Sequence, residues 1–242
     1  MKYFLTACLF ALPLTAVGAA SNVPAAADGF SRFAPEIAAF ARQNAAASHQ
    51  SPTNPAEDDT LFVGSSSIRL WNVSNSFPEL DAVNRGFGGA TTPDVLHYYP
   101  QVIAGCQPET VIVYVGENDI AAGRNPDMVA ADVLTLLGKI RTDFPHARIA
   151  YLSMKHSPLR QDLWGRMAAV NAMVKAQAAK GASFDFLDVS KSLLTPDGVP
   201  DRQFYTTDGL HMNALGYARW TAIVDAYLEA PNRPVAKDLA SS

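Results

Sequence analysis

The feature that most constrains this chain is a regular alternation of short apolar runs with longer amphipathic stretches. The runs are Thr60–Gly64, Ala82–Asn84, Thr110–Gly116, Arg148–Ser153 and Phe184–Val189. An uninterrupted run such as Val111-Ile112-Val113-Tyr114-Val115 suits a strand buried on both faces, because an antiparallel strand with one wet face would alternate with polar residues. Strand and helix patterns that alternate in this way imply a parallel sheet joined by right-handed crossovers. The predicted architecture is therefore α/β, a three-layer α/β/α sandwich with five strands. Its helices are expected at Pro93–Val102, Asp127–Arg141, Leu159–Lys180 and Ala214–Leu228, with Gly181 ending the third. Tyr217, Trp220, Val224 and Tyr227 lie on one side of the last helix and are expected to face the core.

The ends of the chain read differently. Met1-Lys2, an apolar stretch from Phe4 to Val17 and Gly18-Ala19-Ala20 have the form of a secretory signal peptide over residues 1–20, so the protein is expected to be exported to a periplasm or secreted. That stretch is too short, and too interrupted by Pro13, for a spanning helix, so no integral membrane association is expected. Residues 21–58 form a leader in which Phe33, Ile37 and Phe40 recur at helical spacing and predict one packed helix. A domain over 59–230 and a loosely ordered tail over 231–242 complete the predicted organisation. With 48% hydrophobic residues among 242, one such domain can bury a full core without disulfides or a structural metal. The formal net charge of −4 argues against nucleic acid as a partner. Cys106 is the one cysteine beyond the signal peptide and is expected as a small buried hydrophobe.

In an open parallel sheet ligands bind beyond the carboxyl ends of the strands. Gly64-Ser65-Ser66-Ser67 follows the first strand, Gly86-Phe87-Gly88-Gly89-Ala90-Thr91 the second, and Gly116-Glu117-Asn118-Asp119 the third; Thr207-Asp208-Gly209-Leu210-His211 lies beyond the fifth. A serine hydroxyl becomes a competent nucleophile only when a base takes its proton, and His211 can be that base. Asp208 stands three residues earlier, so one helical turn would bring its carboxylate to the imidazole. Acyl transfer also needs donors for a developing oxyanion. Gly89 offers an approachable backbone N–H, Asn118 a side-chain amide, and a serine at a helix start its own N–H.

The order Ser, Gly, Asn, Asp-x-x-His after successive strands resembles the SGNH hydrolases, also called GDSL esterases and lipases, over about Leu61 to Tyr217. The family's Gly-Asp-Ser block falls on Gly64-Ser65-Ser66, which makes Ser66 the matching nucleophile and puts Ser65 where the family has aspartate. Its glycine donor falls on Gly89, its Gly-x-Asn on Gly116-Glu117-Asn118, and its Asp-x-x-His on Asp208 and His211. The resemblance implies a flavodoxin-like sandwich with a central five-stranded parallel sheet. It also implies a Ser66–His211–Asp208 triad, an oxyanion hole of Ser66, Gly89 and Asn118, and ester hydrolysis without a cofactor. A small-molecule or glycan ester is the expected substrate, and the absence of a long apolar lid segment favours short acyl groups. An inactive ligand-binding protein on the same fold, or a lysophospholipase or thioesterase taking longer acyl groups, is the alternative.

Several neighbours are expected to be structural. Asp119 should cap the turn that follows it, Arg69, Asn84 and Arg85 should pack or face solvent, and Trp71 and Trp164 should belong to the core. His49, His97, His146 and His156 have no ligand spacing, which argues against a catalytic zinc, and His156 is placed to line the pocket.

Overall fold

The computed structural model of the chain describes residues 29–50, 60–181 and 183–231. The signal segment 1–20, residues 21–28 and 51–58 of the leader, the first residue of the predicted domain and all but the first residue of the predicted tail lie outside the described residues. Five parallel strands form one sheet: β1 (Thr60–Gly64), β2 (Ala82–Gly86), β3 (Thr110–Tyr114), β4 (Arg148–Leu152) and β5 (Asp185–Leu187), in the order β2-β1-β3-β4-β5. The helices are α1 (Ala34–Gln50), α2 (Ser66–Arg69), α3 (Val73–Ser76), α4 (Thr92–His97), α5 (Tyr99–Ile103), α6 (Glu117–Ala121), α7 (Pro126–Asp143), α8 (Trp164–Ala179) and α9 (Ala214–Glu229).

The layers follow from the period of a strand, which sends successive side chains to opposite faces. Leu61, Val63, Val111, Val113, Ile149 and Tyr151 face the layer of α1, α4, α5, α7 and α8. Phe62, Ile112, Tyr114, Ala150 and Leu152 face Trp71, Phe77, Trp220 and Val224 on the other side. β1 and β3 are buried along their whole length, as their β-branched and aromatic composition requires. The leader is part of this core: Ile37 and Phe40 on α1 are buried, and so is Phe33, which lies in a 3₁₀ turn, Ser31–Phe33, just before the helix rather than on it. Cys106 is buried as well.

Two predicted helices are interrupted. The stretch expected over Pro93–Val102 divides at Tyr98 into α4 and α5, since Pro100 has no N–H to give the carbonyl four residues back and its ring crowds that position. The stretch expected over Leu159–Lys180 starts as a 3₁₀ segment, Pro158–Leu163, and becomes α-helical only at Trp164. Arg160 inside that segment has φ −110° and ψ 32°, and the Leu159 N–H donates to Gly209 O at 2.9 Å instead of continuing a helix.

Gly64 ends β1 at φ +151°, where a Cβ would sit 1.9 Å from the Tyr114 carbonyl oxygen of the adjacent strand. A backbone atom cannot yield as a flexible side chain can. Gly64→Ala should therefore lower unfolding free energy by about 3 kcal/mol or more in urea titration, and a variant within about 0.5 kcal/mol of wild type would contradict this close approach.

Candidate active site

The strand order places a crevice at the carboxyl ends of β1 and β3, because the chain goes from β1 to β2 on one side and then crosses to β3 on the other. The register puts Gly64 level with both Gly86 and Tyr114, so the segments after these three strands leave the sheet at one height. Ser66 opens α2 on this rim, after Ser65 in extended conformation. The Ser65 N–H donates to Tyr114 O at 3.1 Å, and the Ser65 carbonyl accepts from Ile68 and Arg69. Asn84 secures the other end of α2: its amide donates to Ile68 O (2.7 Å) and Trp71 O (3.0 Å) and accepts from the Gly86 N–H. Asn84 is thus a packing residue, as is Arg85, buried against α1 through Gln43 and Asn44.

Of the three consecutive serines, Ser66 is the one that reaches the histidine. Its Oγ lies 3.0 Å from His211 Nε2, whereas Ser65 and Ser67 are buried and Ser67 Oγ accepts from Lys155 Nζ at 3.3 Å. His211 Nδ1 lies 2.6 Å from Asp208 Oδ2. The expected helical turn between these two is absent. Asp208 Oδ1 accepts the N–H groups of Leu210 (2.8 Å) and His211 (2.9 Å) and the Thr206 hydroxyl (2.7 Å), and this folds a tight loop closed by the Tyr205–Met212 bridge. Desolvation alone would raise the Asp208 carboxyl, but these hydrogen bonds outweigh it and hold the group far below the ordinary aspartate range.

Gly89 adopts φ +73°, a left-handed conformation that aims its peptide away from the regular path, with open space where a Cβ would be. Among the described residues no acceptor takes the Gly89 or Ser66 N–H. The loop is braced from the leader: the Gly88 N–H donates to Glu36 Oε1 at 3.1 Å, and Arg69 Nε lies 3.4 Å from the same oxygen. Arg32 pairs with Asp94, which closes a capping box with Thr91 at the start of α4. The Asn118 amide donates to Ala90 O at 2.9 Å, which ties α6 to the glycine loop. Asp119 reaches beyond its own turn: it accepts from Arg124 (2.6 Å) just after α6 and from the Thr92 N–H (2.9 Å), so it holds α4 against α6. Burial pushes the Asp119 carboxyl up, against the pull of these donors.

Beneath this rim is a cluster that sequence reasoning did not single out. Glu117 is buried and accepts from Lys155 Nζ (2.7 Å) and Tyr114 OH (2.5 Å), and Arg160 Nη1 lies 3.1 Å from its other oxygen as an ion pair off hydrogen-bond alignment. Burial would raise the Glu117 carboxyl, yet the Lys155 and Arg160 charges hold it below its ordinary value. Its place between Gly116 and Asn118 was the available signal, while nothing near Lys155 marks its partner. His156 stands beside this cluster, half-buried and stacked on Trp164, and desolvation lowers its pKa. Trp71 is buried, and Trp164 is partly so. A cavity of about 720 Å³ opens between the end of α2 and the start of α9, lined by Leu70, Trp71, Met212 and Tyr217 among others, but not by Ser66, Gly89, Asn118 or His211.

The arrangement can relay a proton from serine to histidine while a carboxylate holds the ring, next to unengaged backbone donors. The chain belongs to the GDSL-like Lipase/Acylhydrolase family, whose model matches residues 69–219. The matched stretch contains Gly89, Asn118, Asp208 and His211 and begins three residues after Ser66. A curated relative, the isoamyl acetate-hydrolyzing esterase of Schizosaccharomyces pombe (strain 972 / ATCC 24843), is 28% identical over 144 residues, 55% of this chain and 56% of the relative. The chain therefore spans about half the length of that relative. Two solved structures share the fold. A candidate platelet activating factor from Streptococcus pneumonia has a TM-score of 0.69 at 20% identity, covering 82% of this chain and 95% of that one. A GDSL-like lipase from Bacteroides thetaiotaomicron VPI-5482 has a TM-score of 0.64 at 19% identity, covering 83% and 97%.

Asp208 stays ionised well below the pH of about 3.9 at which an unpaired aspartate takes up its proton. Its folded value lies under its unfolded one, so the carboxylate stabilises the folded state above about pH 4, and that contribution is lost as pH falls toward the folded value. The difference in urea midpoint between wild type and Asp208→Asn should be larger near neutral pH than at about pH 3. An equal gap under both conditions would contradict the assignment.

Proposed function

We propose that this chain is an exported serine ester hydrolase that cleaves carboxylic esters of short acyl groups, acetyl above all, through an acyl-enzyme on Ser66. The unbroken row Asp208–His211–Ser66 carries this reading, with contacts of 2.6 and 3.0 Å. Ser66 Oγ attacks the ester carbonyl carbon while His211 Nε2 takes the hydroxyl proton. Asp208 holds the ring with Nδ1 protonated and stabilises the imidazolium that forms. The charge on the former carbonyl oxygen is met by the N–H groups of Ser66 and Gly89 and by the Asn118 amide. Collapse expels the alcohol, which leaves with the proton from His211. A water then loses its proton to His211 and attacks the acyl carbon; collapse breaks the ester bond to Ser66, whose Oγ takes that proton back from His211 as the acid is released.

Short acyl groups are favoured by the relative that hydrolyses isoamyl acetate. Export rests on the character of residues 1–20, and an exported esterase would meet small-molecule esters or acetylated glycans of the cell envelope rather than acyl-CoA.

With p-nitrophenyl acetate, Ser66→Ala should lower kcat by about 10⁴-fold or more, and Asn118→Ala by about 10² to 10³-fold. Comparable, negligible losses in both would refute the site. Intact-mass measurement of the full chain exported from a bacterial host should give a product starting at Ser21; retention of Met1 with the product left inside the cell would refute export.

A further inference from the structure

The Asn118 amide is held at both ends. Its Oδ1 accepts from Arg160 Nη2 at 2.8 Å, and one of its two N–H bonds goes to Ala90 O at 2.9 Å. A side-chain amide with its oxygen and one N–H engaged has a single donor left, in a fixed direction. Arg160 is itself anchored. Its Nη1 lies 3.1 Å from Glu117 Oε1, its side chain is 14% exposed, and the Glu117 carboxylate is clamped from behind by Lys155 and Tyr114. The backbone at Arg160 leaves helical geometry, and the neighbouring Leu159 N–H is bonded to Gly209 O inside the Asp208–His211 loop. One short segment thus joins the Asn118 donor to the loop of the base.

We infer that Arg160 is a positioning residue for the oxyanion hole, its guanidinium fixing the Asn118 amide with the free N–H toward the reacting carbonyl. Without that guanidinium only the bond to Ala90 O would oppose a half-turn of the amide, which would present its oxygen to the oxyanion and repel it. A cation bonded to the amide oxygen also polarises the amide, so its remaining N–H becomes a stronger donor. Nothing in this role requires Arg160 to touch substrate. The inference rests on the reading of Ser66 and Asn118 given above.

A double-mutant cycle tests it, with kcat and KM for p-nitrophenyl acetate measured on the full chain, Arg160→Met, Asn118→Ala and both together. Arg160→Met should lower kcat by about 10- to 100-fold, with KM changed by no more than about twofold. In the Asn118→Ala background the same change should cost no more than about twofold, because the residue it acts through is gone. Losses that multiply, or an unchanged kcat in Arg160→Met, would overturn the inference. Should Arg160→Met fail to fold by circular dichroism, Arg160→Lys takes its place in the cycle. It keeps the charge beside Glu117 but lacks the fork that reaches both partners, so a loss confined to the Asn118 background is again expected, and full activity overturns the inference. Ser66→Ala with wild-type activity would instead refute the proposed mechanism itself, which separates the two failures.

Discussion

A parallel sheet covered on both faces must reverse its strand order somewhere, and the crevice left at that reversal dictates where this protein's chemistry can sit. Here the reversal falls between β1 and β3. Ser66 stands after one strand and Asn118 after the other, each on the first turn of a short helix. Gly64, Gly86 and Tyr114 share one level of the sheet, so three segments rise from a common floor. The contacts above it are short-range consequences of that floor: Ser65 on Tyr114, Asn84 on α2, and Asn118 on Ala90.

The floor also holds charge. Taking Glu117 and Lys155 out of water costs several kcal/mol per ion in general terms, and mutual attraction offsets this only when geometry is good and remaining polar atoms find partners. Glu117 meets that condition only at Oε2, which accepts from Lys155 and Tyr114; Oε1 has the Arg160 charge beside it without an aligned hydrogen bond. The Arg160 guanidinium lies beside Asn118 at the rim where an oxyanion would form, and low local dielectric would make its charge felt there more strongly than in water. A buried ion pair is a poor source of stability, so its location next to Asn118 suits the orientation of that side chain better than it suits the core.

Local signals in the sequence carried far in this molecule, and they failed for physical reasons that can be named. The apolar run of β3 and the aromatic stripe of α9 were legible because burial imposes its period directly on neighbouring residues. Asp208 and His211 were legible as a pair three residues apart, although a loop organised by the Asp208 carboxylate joins them rather than a helical turn. Pro100 divided a helix that periodicity alone joined. Glu36 on Gly88, Lys155 on Glu117 and Arg160 on Asn118 span 52, 38 and 42 residues, and no spacing rule reaches across a crossover. The supports of the candidate site were therefore hidden where its reacting groups were visible.

In the proposed mechanism His211, held by Asp208, activates Ser66 and no other serine of the Gly64-Ser65-Ser66-Ser67 run. The most direct test of this mechanism is covalent labelling with a fluorophosphonate, followed by fragmentation mass spectrometry that separates the three serines. The wild type should form one adduct, on Ser66, and His211→Ala should form none. An adduct on Ser65 or Ser67, labelling that survives loss of the imidazole, or a folded wild type that takes no label would contradict it.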